Sequence, residues 1–269
     1  MFNFKKIALA AAIATPVFFA NAAYAAVDLS KETKQYQDFV VAQIDELVKG
    51  TDQFVAALKA GKLDEAKKLY PLVRMYYERS EPIAESFGDL DPRIDAREAD
   101  LEKDQVWSGF HKIEKILWTE NTTKGTEQIA DQLVNDIKEL RAKVPTVEVT
   151  GELMVQGAVD LLNEVSTSKI TGEEEIFSRT DLYDFKANVE GAEKIFEILK
   201  PQLEKKDAKL VKELEKRFAD VNTLLDKYKV GEKDFKAYTE LTKDNTRELA
   251  EAVNKLGEPL AQMGVILED

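Results

Sequence analysis

The sequence holds no cysteine and a single histidine, His111, in 269 residues. Without a thiol there are no disulfides, no thiolate metal ligands and no cysteine to carry a lipid. One histidine is too few for a zinc peptidase of the H-E-x-x-H kind, which needs two. No G-x-S-x-G elbow accompanies it, so a Ser-His-Asp hydrolase has no sequence signature either. Basic residues are the minority, 38 against 51 acids, for a formal charge of -13. Such a chain repels nucleic acid and anionic membrane surfaces, and suits cations or a basic face on a partner.

Long apolar runs are also scarce. The one near the start, "IALAAAIATPVFFA", follows the basic "MFNFKK" and precedes the small residues of "AYA". Its length is that of a signal peptide and too short for a membrane span, and direct membrane insertion is not expected. Residues 1–25 therefore read as a signal peptide with cleavage after Ala25, leaving residues 26–269 as an exported, soluble chain. Losing Lys5 and Lys6 takes the formal charge from -13 to -15. At 44% hydrophobic residues, this chain has enough apolar material for a real core.

Apolar residues recur at helical spacing nearly throughout. Helices are expected over 36–58, from about Asp64 to near Pro82, through "GFHKIEKILW" to Trp118, and over 126–143, 150–168, 181–205, 207–228 and 236–263. "FGDLDPRIDARE" is rich in turn residues and reads as a loop. No alternating run is long enough for a strand. Eight helices with mostly short connections predict an all-α protein built as helical bundles. "GFHKIEKIL" and "GAEKIFEIL" agree at five of nine positions, which raises the possibility of a duplicated bundle.

The opening of one helix carries the chemistry. At about 100° per residue, Trp107, His111, Glu114 and Trp118 fall in a stripe about 60° wide, with Lys112 and Lys115 on the solvated side. A carboxylate at the edge of a core is costly unless something offsets its desolvation. A local His111–Glu114 hydrogen bond would do so, and so would a cation held by both. Glu78 and Glu81 form a second i, i+3 pair; Arg74, four residues before Glu78, offers the alternative of a surface ion pair. Asp95 lies in the segment leading back to the histidine. In "TGEEEIF", Glu173, Glu174 and Glu175 are equally well explained as the acidic first turn of a helix. An oxygen-rich site with one imidazole is too hard for copper(I) and suits ferrous or ferric iron, zinc, manganese or copper(II).

Together these segments resemble the imelysin-like family, in particular the EfeO-type periplasmic proteins of ferrous iron uptake. The resemblance rests on "YYERSEPIAESFGDLDPRIDARE", the G-x-H-x-x-E of "GFHKIEKILW", "ITGEEEIFSRTDLYDFKANVEGAEKIFEIL" and "NTRELAEAVNKLGEPLAQMG", in that order along nearly the whole mature chain. It implies two packed four-helix bundles with a metal site in the cleft between helices. It also implies His111, Glu114, Glu78, Glu81, Asp95 and Glu174 as metal ligands, iron as the cargo and a membrane iron permease as partner. Where relatives have histidine in an "S-H-T-D-L" run, this chain has Arg179. The cupredoxin domain of longer EfeO proteins has no counterpart in this sequence, so the short form is expected, without a copper route for oxidising iron.

The leading expectation is thus a non-enzymatic periplasmic protein that captures iron, or a similar cation such as zinc or copper, for a permease. Metal-bridged binding of an anionic polysaccharide such as alginate is the alternative, and metallopeptidase activity a lesser one. If the N-terminal reading holds, intact-mass measurement on periplasmic extract finds a chain beginning near Ala26; retention of residues 1–25 contradicts it.

Overall fold

A computed structural model of the protein describes residues 27–268. The signal-peptide segment and its cleavage point lie outside the described residues. Nine α-helices dominate, with one two-residue-per-strand hairpin among the described residues. In α1 (Ser30–Lys59), Tyr36, Val40, Ile44, Leu47, Phe54, Val55 and Leu58 make one buried face. This is the amphipathic stripe that lets a long helix dock on its neighbours. It ends at Gly61, which takes the left-handed conformation (φ +71°) that stops a helix without a Cβ penalty.

Next come α2 (Leu63–Glu78), the short α3 (Leu90–Asp95), α4 (Gly109–Lys115) and α5 (Glu127–Lys143). Helix α1 packs on α2 and α5, and α4 on α5, which makes the first bundle. The second consists of α6 (Gly151–Thr167), α7 (Asp181–Lys206), α8 (Ala208–Asp226) and α9 (Lys243–Glu268). Thr150 caps α6 by accepting from Leu153 N, and Asp207 caps α8 by accepting from Lys209 N and Leu210 N. The expected pair of packed four-helix bundles is what forms. They meet chiefly where α2 lies against α7.

Four details differ from the sequence reading. "FGDLDPRIDARE" is not all loop: Leu90 and Ile94, four apart, bury one face of α3. Helix α2 stops at Glu78, and residues Glu81–Phe87 coil as 3₁₀ turns instead. The last helix begins at Lys243 rather than 236, because residues 229–240 form a hairpin, β1 (Lys229–Val230) with β2 (Asp234–Phe235), and a turn at Tyr238–Glu240. The "GFHKIEKIL" echo falls on unlike places: Gly109 opens a seven-residue helix, whereas Gly191 sits inside the 26-residue α7.

Two glycines bring the turn after α2 hard against the second bundle. A Cβ on Gly157 of α6 would stand 1.8 Å from the Pro82 carbonyl oxygen, and one on Gly191 of α7 would stand 2.6 Å from that of Arg79. This close approach sets Glu78 and Glu81 at the joint between bundles. Gly157→Ala is expected to destabilise by about 1–3 kcal/mol despite the gain in helix propensity. Gly257→Ala in α9, whose Cβ would meet nothing nearer than 3.6 Å, is expected to be neutral or mildly stabilising; urea melts of both variants check the contrast.

Candidate metal centre

The joint gathers polar groups from both bundles. Helix α2 supplies Arg74 and Glu78, the turn after it Glu81, the end of α3 Asp95, and α4 His111 and Glu114. The segment between α6 and α7 supplies Lys169, Glu174 and Glu175, and the start of α7 supplies Asp181, Asp184 and Asn188. All are buried except Asp95 and Glu81, whose side chains are 11% and 17% exposed.

His111 is 1% exposed. Its Nδ1 lies 3.3 Å from Glu114 Oε2. The other Glu114 oxygen accepts from the backbone N–H groups of Phe177 (3.1 Å) and Ser178 (2.7 Å). A carboxylate so anchored is a ready acceptor for a proton on Nδ1, the tautomer that leaves Nε2 free to bind a cation. Nε2 has no hydrogen-bond partner among the described residues. Nε2 faces Asp95 Oδ1 at 3.7 Å and Glu174 Oε1 at 3.8 Å. Bonds of about 2.0–2.2 Å to an ion at the centre would draw ligand atoms to separations only slightly shorter than these. The geometry admits two overlapping three-ligand groups: Asp95, His111 and Glu174, or His111, Glu114 and Glu175.

Arg74 lies at the centre, fully buried. Its guanidinium pairs with Asp95, Glu78 and Glu175 (2.6 Å), and reaches Glu174 and Asp184 at 3.5 Å each. Behind it, Lys169 Nζ contacts Glu78 (3.1 Å), Glu81 (2.9 Å) and Glu174 (3.6 Å). Seven carboxyl groups (Glu78, Glu81, Asp95, Glu114, Glu174, Glu175 and Asp184) thus share the buried Arg74 and Lys169, with Arg97 reaching Glu174 Oε2 at 3.2 Å from the edge. All seven cannot stay ionised in a medium from which water is excluded.

The acids accordingly split. Burial pushes the Asp95 and Asp181 carboxyls up to about 6, against the pull of Arg74 on Asp95. Burial likewise drives Glu81, Glu175 and Asp184 well above the usual carboxylate range. Burial acts on Glu78 too, but Lys169 and Arg74 together overrule it and hold this carboxyl low. Glu114 is also held low, against burial, chiefly by His111.

All six residues marked from sequence fall in this cluster. His111, Asp95 and Glu174 converge, and Glu114 sits behind the imidazole. Glu78 and Glu81 lie on the far side of Arg74, against Lys169 and Asn188. Arg74 and Glu78 are a buried ion pair rather than a surface one. The acids of "TGEEEIF" do not open a helix: Glu174 and Glu175 are buried in a turn, and α7 begins at Asp181. The tryptophans do not bracket the pair. Trp107 precedes the helix and donates from Nε1 to Ala96 O (2.8 Å), and a π turn at Ile116–Glu120 carries Trp118 onto Tyr70. Lys112 and Lys115 are partly exposed, as expected, the first donating to Trp107 O and the second pairing with Glu98 at the surface. Arg179 sits in the left-handed region (φ 62°), with Nη1 donating to Gly172 O. Sequence reasoning missed Lys169, Asp184 and Asn188, each of which looks like an ordinary surface residue when read alone.

These features define an all-helical double bundle with a buried imidazole and carboxylate centre at the joint. A family model described as Imelysin, Peptidase_M75, matches residues 32–263. The chain belongs to the imelysin family. An Efem/EfeO family lipoprotein of Staphylococcus haemolyticus (strain JCSC1435) is 58% identical over 244 residues, spanning 89% of this chain and 85% of that protein. Another, from Staphylococcus aureus (strain NCTC 8325 / PS 47), is 54% identical over 245 residues, spanning 90% and 86%. Both are named lipoproteins, whereas the 269 residues here include no cysteine.

The raised acids give a pH dependence of definite sign. A carboxyl whose folded pKa lies above its unfolded value stabilises the fold below about pH 4 and loses that contribution as pH rises through its folded pKa. For Asp95 and Asp181 the window is about pH 4 to 6. Glu78 and Glu114 act oppositely, but below their unfolded value near 4.5. Ion-free protein is therefore expected to be more stable near pH 5 than near pH 7.5, by on the order of 1–3 kcal/mol. Thermal melts in chelator check this; greater stability at the higher pH contradicts it.

Proposed function

We propose that this chain captures a metal cation at His111, with iron the foremost candidate, and passes it to a membrane iron permease. One observation carries the reading: His111 Nε2 is buried, has no hydrogen-bond partner among the described residues and faces two carboxyl groups from different bundles. An unsatisfied acceptor aimed at acids is unfavourable without a cation or a proton between them. In this reading Asp95 and Glu174 bind the ion with His111. Glu114 orients the imidazole. Glu78 and Glu81 balance the buried cations behind it. Both zinc and iron accept such a nitrogen and oxygen set.

Membership of the imelysin family and the named EfeO relatives support an uptake role. The work is binding and release rather than hydrolysis, and it takes place in the periplasm, performed by one imelysin-like domain that begins near Ala26. A cleft of about 260 Å³ at the joint, lined by Glu81, Asp91, Asp160 and Glu164 among others, opens on the Lys169 side of the cluster. Its acids concentrate cations at the mouth, and Glu81 belongs to both the cleft and the buried cluster.

The test is thermal melting of wild type and His111→Ala, each with chelator and with anaerobic ferrous, ferric, zinc or manganese ion. An ion binding only the folded state at about 100 times its dissociation constant adds roughly 2.7 kcal/mol. Wild type is expected to gain on that order and His111→Ala to lose most of it, while the two ion-free proteins differ little. Wild-type melting that ignores every ion tested overturns the proposal.

A further inference from the structure

Lys169 is 1% exposed and opens the 3₁₀ turn, Lys169–Thr171, that follows α6. Its ammonium contacts Glu78 Oε2 (3.1 Å), both oxygens of Glu81 (3.0 and 2.9 Å) and Glu174 Oε1 (3.6 Å). Four carboxylate oxygens from three acids around one point are the ligand set of a hard, oxygen-bound cation. An ammonium supplies one charge and three donors to that set. Asn188, fully buried, closes the group. Its Nδ2 donates to Glu78 Oε2 (2.9 Å) and Glu81 Oε2 (2.7 Å), yet its Oδ1 has no hydrogen-bond partner among the described residues. A half-turn of the amide would present that oxygen to an ion held by the same two acids.

We propose that Lys169 is a tethered cation standing where a second metal ion would otherwise bind, and that it limits this chain to one ion, at His111. The inference rests on the reading of the cluster as a cation site. The shared atom is Glu174 Oε1, which lies 3.6 Å from Lys169 Nζ, 3.5 Å from Arg74 Nη2 and 3.8 Å from His111 Nε2. A divalent ion at His111 thus faces two single charges across Glu174, those of Arg74 and Lys169. A second divalent ion in the place of Lys169 would double the share of that repulsion that comes from Lys169. The lysine satisfies Glu78 and Glu81 permanently and keeps Asp95, Glu174 and His111 for cargo. It acts through Glu174 and so is a positioning residue, one that sets the ion count.

The experiment counts bound Mn²⁺ per chain, by equilibrium dialysis with elemental analysis, for wild type, Lys169→Met, Lys169→Arg and Lys169→Met/His111→Ala. Lys169→Met removes the charge and keeps the bulk. It is expected to bind one equivalent more than wild type, and the added ion should survive in the double variant. Lys169→Arg keeps the charge and should match wild type. If Lys169→Met does not fold without an ion, refolding from urea with and without Mn²⁺ is read by helical circular dichroism. Recovery only with Mn²⁺ supports the proposal, and failure in both conditions overturns it. A folded Lys169→Met that binds no more Mn²⁺ than wild type also overturns it. Wild type binding none while Lys169→Met binds one would defeat the His111 site and leave the role of Lys169 standing.

Discussion

The joint between the bundles depends on one buried cation. The Arg74 guanidinium is enclosed by Glu78, Asp95, Glu174, Glu175 and Asp184, which come from α2, α3, the segment before α7, and α7. Removing water from that many charges is costly, and mutual pairing repays the cost only when every partner is in place. Breaking such a pair leaves an uncompensated buried charge, which typically costs several kcal/mol. Arg74 therefore specifies the arrangement more than it adds net stability: any slip of α2 against α7 strands a charge. Its aromatic surroundings, with Tyr70 and Phe110 about 6 Å from the guanidinium carbon, keep the site dry and the electrostatics strong.

The bundles themselves were legible because a helix writes its buried face at a fixed period. The eight expected helices all form, most within a few residues of their expected ends. What escaped was decided by contacts made far along the chain. Helix α3 contributes only six residues, too few for a period to show, and is held by burying Leu90 and Ile94. The hairpin at 229–235 is held by Tyr183, whose hydroxyl accepts from Phe235 N and donates to Asp234. Nothing local to the segment announces that bond.

The site was legible in part for the same reason. His111 and Glu114 share a helix face, so their pairing follows from spacing alone. Trp107 lies outside that helix, because Ser108 is extended and Gly109 takes a positive φ against the Ile94 carbonyl; the helix does run through Trp118, but its last turn widens to π and carries that side chain off the stripe. Lys169 and Asn188 were illegible because their partners lie 91 and 110 residues away in Glu78. A lysine in sequence reads as solvated, and only the fold shows that its head is surrounded by acids.

The imidazole also links chemistry to architecture. Its Nδ1 is tied through Glu114 to the backbone of Phe177 and Ser178, so a residue of the first bundle is oriented by the segment that enters the second. Its Nε2 faces Asp95, from the first bundle, and Glu174, from that same segment. An ion held there would cross-link the two bundles through three ligands. Its binding free energy would then appear partly as stiffness of the joint, since a ligand that contacts both sides of an interface favours the closed arrangement by its differential affinity. The same coupling gives a route to release: a partner that pries α7 and the 172–178 turn from α4 would withdraw Glu174 and loosen Glu114 together. The ion would lose one ligand and the orientation of another in a single movement. Under the proposed function, in which an ion is bound and then released, a site divided across the joint accomplishes what a site within one rigid bundle does not.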